Sequence, residues 1–335
     1  MPVRESDITV VFQGPLVRGS GGTAEQIRRT QLVLPDAHYI LSTWTGSELA
    51  GIDVDDIVLS VDPGGLSGIK RRDNANEPNN INRQLLSTRR GMDLANTEYA
   101  IKLRSDCFLE HAGFLHWFER VRADGPARIV ASSLFTIDPM MFEQMSYHVS
   151  DWFQFGETSA LRDYWSAAFM NEADASYYER HPYAEHSTFM DRRFRSRLAV
   201  EQYVASQYAA RLGYKVPQYH NDLCEEVIAG HRRFLAEQFL ILDPWQIGLR
   251  FPKYAWAYRS SFQRLNCLLF LDWYRLYLEQ GGAPIETGAP LGSFGARKKR
   301  KQVARALSRW MDKAGPVLVQ PSVKYVVNRL LAVLE

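Results

Sequence analysis

The chain has 335 residues, 46% apolar and 23% charged, with 40 Lys and Arg against 38 Asp and Glu for a net charge of +2. That balance excludes a disordered chain and a general nucleic-acid binder, and the length allows one large or two ordinary domains with a real core. Three widely spaced cysteines, Cys107, Cys224 and Cys267, make neither a disulfide framework nor a zinc spacing and fit a reducing compartment.

The N-terminus reads as having no signal peptide and enters a β-branched apolar run, Ile8–Phe12, closed by Gly14-Pro15. Thr23–Leu32 is helical in composition. Ala37–Trp44 and Asp56–Val61 read as strands, the second stopped by Asp62-Pro63-Gly64-Gly65. In Asn79–Ala95, residues Ile81, Leu85, Thr88, Met92 and Ala95 recur at helical spacing, and Tyr99–Leu109 is again a strand. Alternating strands and helices predict an α/β fold with a mostly parallel sheet flanked by helices. Further strands are expected at Ala127–Phe135, Tyr147–Phe155 and within Phe234–Pro244. A helix-rich stretch is expected from Ser159 to Leu212, and a buried helix over Leu265–Leu278. No apolar run reaches the ~20 residues of a membrane span, so a soluble or peripheral chain is expected, and the cysteine usage fits the cytoplasm.

Gly281–Gly295 reads as a linker to a basic amphipathic helical tail, 291–335. Residues 295–335 hold ten Lys and Arg against Asp312 and Glu335, a net +8, which leaves the rest of the chain at −6. After Arg297-Lys298-Lys299-Arg300-Lys301, residues Val303, Leu307, Trp310 and Met311 share one helical face. Val323, Val326, Val327, Leu330, Leu331 and Leu334 make a second apolar piece. Basic residues beside an apolar face fit an anionic membrane surface, or else a helix docked on the body with its charges solvated.

The most informative segment is Lys102-Leu103-Arg104-Ser105-Asp106. Alternation along a strand puts Lys102, Arg104 and Asp106 on one face. Three ionisable groups there are costly unless they line an open site, and ligands of open α/β sheets bind at the carboxyl ends of strands. Asp106 can then hold a divalent cation against a diphosphate; the alternative is an Arg104–Asp106 ion pair that caps the strand. Other candidates each carry a plain alternative. Thr43, beside Ser42, offers a hydroxyl at a strand end or satisfies local backbone. Asn79, Asn82 and Arg83 start the long helix as an anion site or as a cap with a solvated face. Asp151 sits among aromatics in HVSDWFQFG, suited to sugar hydroxyls or to backbone bonds. His186 and His220 lack the spacing of metal ligands.

Three strands and a long helix before Asp106 resemble the nucleotide-binding half of GT-A glycosyltransferases, in which an Asp-X-Asp motif ends the fourth strand. Here Arg104 stands at the first Asp position and only Asp106 matches. Both a divalent cation (Mn or Mg) and a metal-independent site, with Arg104 on the diphosphate, stay open. FQGPL (12–16), LSTW (41–44), NNINRQLLSTRRGM (79–92), KLRSD (102–106), SDWFQFG (150–156) and VEQY (200–203) together resemble the WavE family of lipopolysaccharide-synthesis proteins. The resemblance spans roughly residues 8–245 and leaves out the tail beyond about 290.

It implies a GT-A-like domain over 1–290, with a nucleotide-binding half (1–110) and an acceptor half (111–290). It implies a glycosyltransferase that moves a sugar from a nucleotide-sugar donor to a glycan or lipid-linked glycan of bacterial lipopolysaccharide or surface polysaccharide. Such an enzyme would sit in the cytoplasm, peripheral at the inner membrane through 295–335. Implied donor contacts are Gln13, Gly14, Thr43, Asn79, Asn82, Arg83, Lys102, Arg104 and Asp106, although Gln13-Gly14-Pro15 is equally an ordinary turn. Glu201, in RLAVEQYVAS, resembles the helix-start acid that serves inverting members as general base, with Asp151 as second choice; the plain alternative is an exposed helix glutamate. Two other readings stay open. One is a sugar nucleotidyltransferase, echoed by Gly19-Ser20-Gly21-Gly22-Thr23 but without the Arg that follows the Thr. The other is a non-catalytic glycan-binding protein that keeps the fold.

Overall fold

The computed structural model describes residues 2–69, 78–122, 128–259, 261–285 and 294–318. The first half builds as its punctuation dictates. β1 (Ile8–Gln13) is buried at every position, as a strand covered on both faces must be. α1 (Thr23–Gln31) leads to β2 (His38–Trp44) and β3 (Asp56–Ser60); α2 (Ile81–Leu94) then leads to β4 (Tyr99–Arg104). α2 lies so close on the sheet that a Cβ at Gly91 would stand 2.3 Å from Val11 Cγ1, so only glycine fits there.

β5 (Phe108–Leu109) and α3 (Gly113–Arg122) follow, then β6 (Ile129–Ser132), β7 (Phe153–Glu157) and α4 (Thr158–Tyr164). α5 (Glu172–Ala175), α6 (Val200–Arg211) and α7 (Glu225–Gln238) precede β8 (Phe239–Leu242). α8 (Pro244–Ile247), β9 (Leu249–Arg250), α9 (Ala255–Arg259), α10 (Phe262–Asn266), α11 (Phe270–Glu279) and α12 (Phe294–Leu318) complete the described strands and α-helices. Seven strands form one sheet in the order β3-β2-β1-β4-β7-β6-β8, and β5 pairs with β9 apart from it. Within the sheet only β7 runs antiparallel to its neighbours. Tyr99, Phe114, Phe118, Phe153 and Phe155 interlock at its centre, with Phe155 4.8 Å from Phe114 and 4.9 Å from Phe118 between ring centroids.

The chain leaves β1 toward β2 and returns on the other side of β1 as β4, which puts a switch point between them. Their carboxyl ends are in register, Gln13 opposite Arg104. The expected strand Tyr99–Leu109 breaks here. Ser105 N–H donates to Gln13 O at 3.0 Å and Ser105 Oγ to Pro15 O at 2.7 Å, which turns the chain at Ser105-Asp106. Gly14 has φ +117°, and a Cβ on it would meet Ser105 Oγ at 3.2 Å, so the turn requires glycine.

The expected strand Tyr147–Phe155 starts only at Phe153. Tyr147 has φ +54° and gives its N–H to His231 Nδ1 at 3.0 Å rather than to a neighbouring strand. α3 and α7 carry no counterpart among the expected elements; α7 runs into β8 with no residue between them, which hides the change of period.

α12 docks by one face. Arg297 meets Asp138 Oδ2 at 2.7 Å and Asp272 Oδ1 at 3.3 Å, Arg300 meets Asp272 Oδ2 at 2.9 Å, and Ala304 is fully buried. Val303, Leu307, Trp310 and Val317 point away from that seam and stay 37–54% exposed. The first arginines dock as the alternative of a helix seated on the body expects, while Val303, Leu307 and Trp310 of the expected stripe face out and Met311 is half-buried. The second apolar piece, 323–334, lies outside the described residues. No described helix is long and apolar enough to cross a membrane.

Candidate functional site

At the carboxyl end of β4 the charged side chains face one another. Lys102 is wholly buried; its Nζ donates to the Asp151 carbonyl and stands 3.1 Å from Asp151 Oδ2. The Trp165 ring lies 5.0 Å from that ammonium, and Trp165 Nε1 donates to Gln154 Oε1 at 2.7 Å, so the lysine sits in a closed polar box. Burial pulls Lys102 below the usual lysine range, with Asp151 opposing. Burial also works against the Asp151 carboxylate, but Lys102 and Arg104 outweigh it and hold its pKa below the ordinary value. Asp151 Oδ1 has no hydrogen-bond partner among the described residues.

Arg104 and Asp106 form a bidentate pair at 3.0 and 3.1 Å, partly open to solvent. Burial disfavours the guanidinium, yet Asp151 and Asp106 raise its pKa and keep it charged. Its flat face lies 4.9 Å from the Phe251 ring centre. Phe251 starts an aromatic wall: Trp152 packs on it at 4.3 Å and on Tyr254 at 5.3 Å, and Phe135 packs on Trp152 and Phe262 at 4.8 Å each. The wall ends at Trp256, which is half exposed. Phe135 and Tyr147 both hold positive φ, a strain of about 1–3 kcal/mol each that the surrounding packing must enforce.

Glu201 completes the group from the first turn of α6. Gln202 fixes that turn: its Nε2 donates to Ser146 O at 2.8 Å and His220 O at 2.9 Å. The Glu201 side chain is 20% exposed, and its Oε2 stands 3.4 Å from His148 Nε2. Burial raises the Glu201 pKa; His148 counters this, and the nearby Asp151 charge adds to it. His148 Nδ1 faces Phe135 O at 2.9 Å, which ties the imidazole to the strained backbone.

The structure thus brings Lys102, Arg104, Asp106, Asp151 and Glu201 together around the switch point, with Lys102 beneath the site rather than open to it. The expected shared open face fails for Lys102 because Asp151 closes over it. Gln13 and Gly14 form the neighbouring edge, where Gln13 Oε1 accepts from Ser87 Oγ at 2.8 Å. Thr43 is buried beside Ser47. The start of α2 is committed elsewhere: Arg83 grips Asp62 at 2.7 Å through two nitrogens, and Asn79 and Asn82 both hydrogen-bond Met170. His186 and His220 meet Asn221 O and Tyr178 Oη at 3.0 Å each. Of the aromatic wall the sequence marks only Trp152, in the aromatic run beside Asp151; His148, Phe135, Phe251, Tyr254, Trp256 and Phe262 were not singled out, and no local pattern marks them.

The donor set does not fit a divalent cation. Asp106 is the expected ligand, and both its oxygens are held by Arg104. No group of three His, Cys, Asp or Glu side chains that could hold a metal occurs among the described residues.

The galactosyltransferase LgtC, solved in complex with donor and acceptor sugar analogues, is similar over 55% of this chain and 68% of that one, at 11% identity and TM-score 0.29. HddC from Yersinia pseudotuberculosis is similar over 50% of this chain and 83% of that one, at 10% identity and TM-score 0.28. Both likenesses are too remote to bear on the site. No curated protein matches the chain. The model of the family described as WavE lipopolysaccharide synthesis matches residues 8–306, which takes in the whole sheet, the charged cluster and the docked start of α12, and the chain belongs to that family.

Proposed function

We propose that the chain is a glycosyltransferase that moves a sugar from a nucleotide-sugar donor onto a lipopolysaccharide or related surface glycan. The observation that carries this reading is the pairing at the switch point of a raised-pKa acid, Glu201, with a fixed cation, Arg104, beside an aromatic wall. In this reading the acceptor hydroxyl gives its proton to Glu201 as its oxygen attacks the anomeric carbon. The bond from that carbon to the donor phosphate breaks, and its electron pair leaves with the nucleotide. Arg104 meets the charge that develops there. Gln13 and Gly14 form the edge toward the nucleotide, with Thr43 buried behind it; Asp106 orients Arg104. Asp151 serves as a charge anchor rather than as a base, because Lys102 holds it ionised and sealed. Trp256 and Tyr254 offer the acceptor sugar a flat apolar face.

The nucleotidyltransferase reading is the weaker one. Its phosphate loop needs free amides after β1, but Glu25 Oε2 already accepts the Gly21 N–H at 2.8 Å, placing a carboxylate where phosphate would bind. The exposed stripe Val303, Leu307, Trp310 and Val317, with Lys299, Arg309 and Lys313 also exposed on the same helix, supports a peripheral seat on an anionic membrane, close to a lipid-linked acceptor.

Incubation with UDP-, GDP-, CMP- and dTDP-sugars and truncated lipopolysaccharide tests the reading. Transfer with release of a nucleoside mono- or diphosphate is expected, and EDTA leaves the rate unchanged. Release of pyrophosphate from a nucleoside triphosphate in place of transfer overturns it.

A further inference from the structure

A cavity of about 470 Å³ lies between α7, α11 and the start of α12. Arg232, Arg275, Arg297, Lys298 and Lys301 all line it, against the acid Asp138. The arginines have partners: Arg232 and Arg275 share Glu279 at 2.5 and 2.8 Å, and Arg297 holds Asp138 and Asp272. Lys298 and Lys301 have no ion-pair partner among the described residues. Burial pulls Lys301 below the usual lysine range and nearby Arg305, Arg297 and Arg232 add to it, while Asp138 only partly opposes them, the mark of crowded cations.

A second, independent feature lies in the wall of the same cavity. His231 lines it and is 1% exposed. Its Nδ1 accepts the Tyr147 N–H, so that hydrogen bond assigns the proton of the neutral ring to Nε2. Burial lowers the His231 pKa to about 4, which keeps the ring neutral at pH 7. Nε2 is then a buried donor, and it has no partner among the described residues. Leaving such a donor unmet costs about 1–3 kcal/mol unless something fills the place.

We propose that this cavity binds a phosphate-bearing group the size of a phosphorylated monosaccharide. Its volume falls within the roughly 300–1,000 Å³ of small-ligand sites, and unmatched ammonium groups beside arginine forks suit a doubly charged phosphate. The cavity adjoins the charged cluster through the backbone. His231 holds Tyr147, the next residue is His148 facing Glu201, and Ile137, beside Asp138, donates its N–H to His148 O at 3.0 Å. A phosphate carried by the acceptor glycan would therefore dock beside the transfer site; that clause rests on the transferase reading, and the anion site does not.

Isothermal titration of the full chain with glucose 6-phosphate, with glucose as the neutral control, tests the site without donor or turnover. Glucose 6-phosphate is expected to bind and glucose not to. Lys298→Ala/Lys301→Ala, whose ammonium groups hold no ion-pair partner among the described residues, is expected to weaken that binding at least about tenfold, the worth of one lost charged hydrogen bond. Arg104→Ala is expected to leave it unchanged. Glycerol 3-phosphate, a lipid-headgroup mimic, is the second arm: tighter binding of it than of glucose 6-phosphate moves the ligand to a lipid and overturns the glycan assignment. Unchanged glucose 6-phosphate binding in a folded double lysine variant, or none in the wild type, overturns the site itself.

Discussion

Asp151 and Glu201 stand in one electrostatic cluster and have opposite fates. Asp151 is 4% exposed and locked to Lys102; Glu201 is 20% exposed and faces a histidine. Positive neighbours hold the first acid below its ordinary pKa, while burial lifts the second above it. Surroundings that drive the pKa values of two carboxylates apart suit them to different work: the lowered one to a fixed charge, the raised one to taking up a proton more readily than an ordinary glutamate. In sequence the family resemblance puts Glu201 first as base and Asp151 second, and their partners in the fold separate them further.

The largest effect on stability is expected at the sealed pair. Lys102→Met leaves Asp151 buried without its partner and should cost about 3–5 kcal/mol in urea unfolding. Adding Asp151→Leu should recover most of that loss; a cost under about 1 kcal/mol for Lys102→Met would mean that the pair is not an anchor.

The two acids should also differ in the sign of their pH dependence. The folded pKa of Asp151 is depressed, so its contribution is present above the unfolded value of about 3.9 and is lost as pH falls through the folded one. Asp151→Asn should therefore destabilise at pH 7 and flatten the acid limb of the stability curve. The folded pKa of Glu201 is raised, so its ionisation costs stability once pH climbs from about 4.3 through the folded value. Glu201→Gln should stabilise by about 0.5–2 kcal/mol at pH 8, the usual gain from relieving a strained functional group, and by nothing at pH 4. Thermal unfolding across pH reads both signs. Equal signs for the two variants would erase the distinction between the acids.

The smallest stability effect is expected on the outer face of α12. Leu307→Ala/Trp310→Ala removes exposed side chains and should shift stability by less than about 0.5 kcal/mol. The same variant should lose binding to anionic vesicles, read by co-sedimentation. Undiminished vesicle binding would detach the membrane seat from this stripe.

Much of the sheet is legible in sequence because its signals are local. Gly14-Pro15, Asp62-Pro63-Gly64 and the helical spacing in Asn79–Ala95 set β1, β3 and α2 within a residue or two of their observed ends. The residues of the cluster are legible by type, since charges at the end of a buried strand need a reason. Their pairing is not. Lys102 and Asp151 are 49 positions apart, and His148 meets Glu201 across 53, distances that no periodicity reports. The start of α2 shows the converse: Asn79, Asn82 and Arg83 have the chemistry of an anion site or of a cap, and in the fold Asp62 and Met170 engage them. In α12 the apolar stripe was readable, whereas the docking face was not, because Arg297 and Arg300 answer to Asp138 and Asp272 far away in the chain.

The division between the two acids is tested most directly by the transfer rate of three proteins at saturating acceptor: wild type, Glu201→Gln and Asp151→Asn, each with the nucleotide sugar that supports turnover. Glu201→Gln is expected to lose about 10²–10⁴ in kcat, the usual worth of a general base, with donor KM nearly unchanged. The wild-type rate should rise with pH through the raised Glu201 pKa, and that limb should vanish in the variant. A folded Glu201→Gln protein that turns over at the wild-type rate, with Asp151→Asn inactive, would contradict the assignment and exchange the two roles.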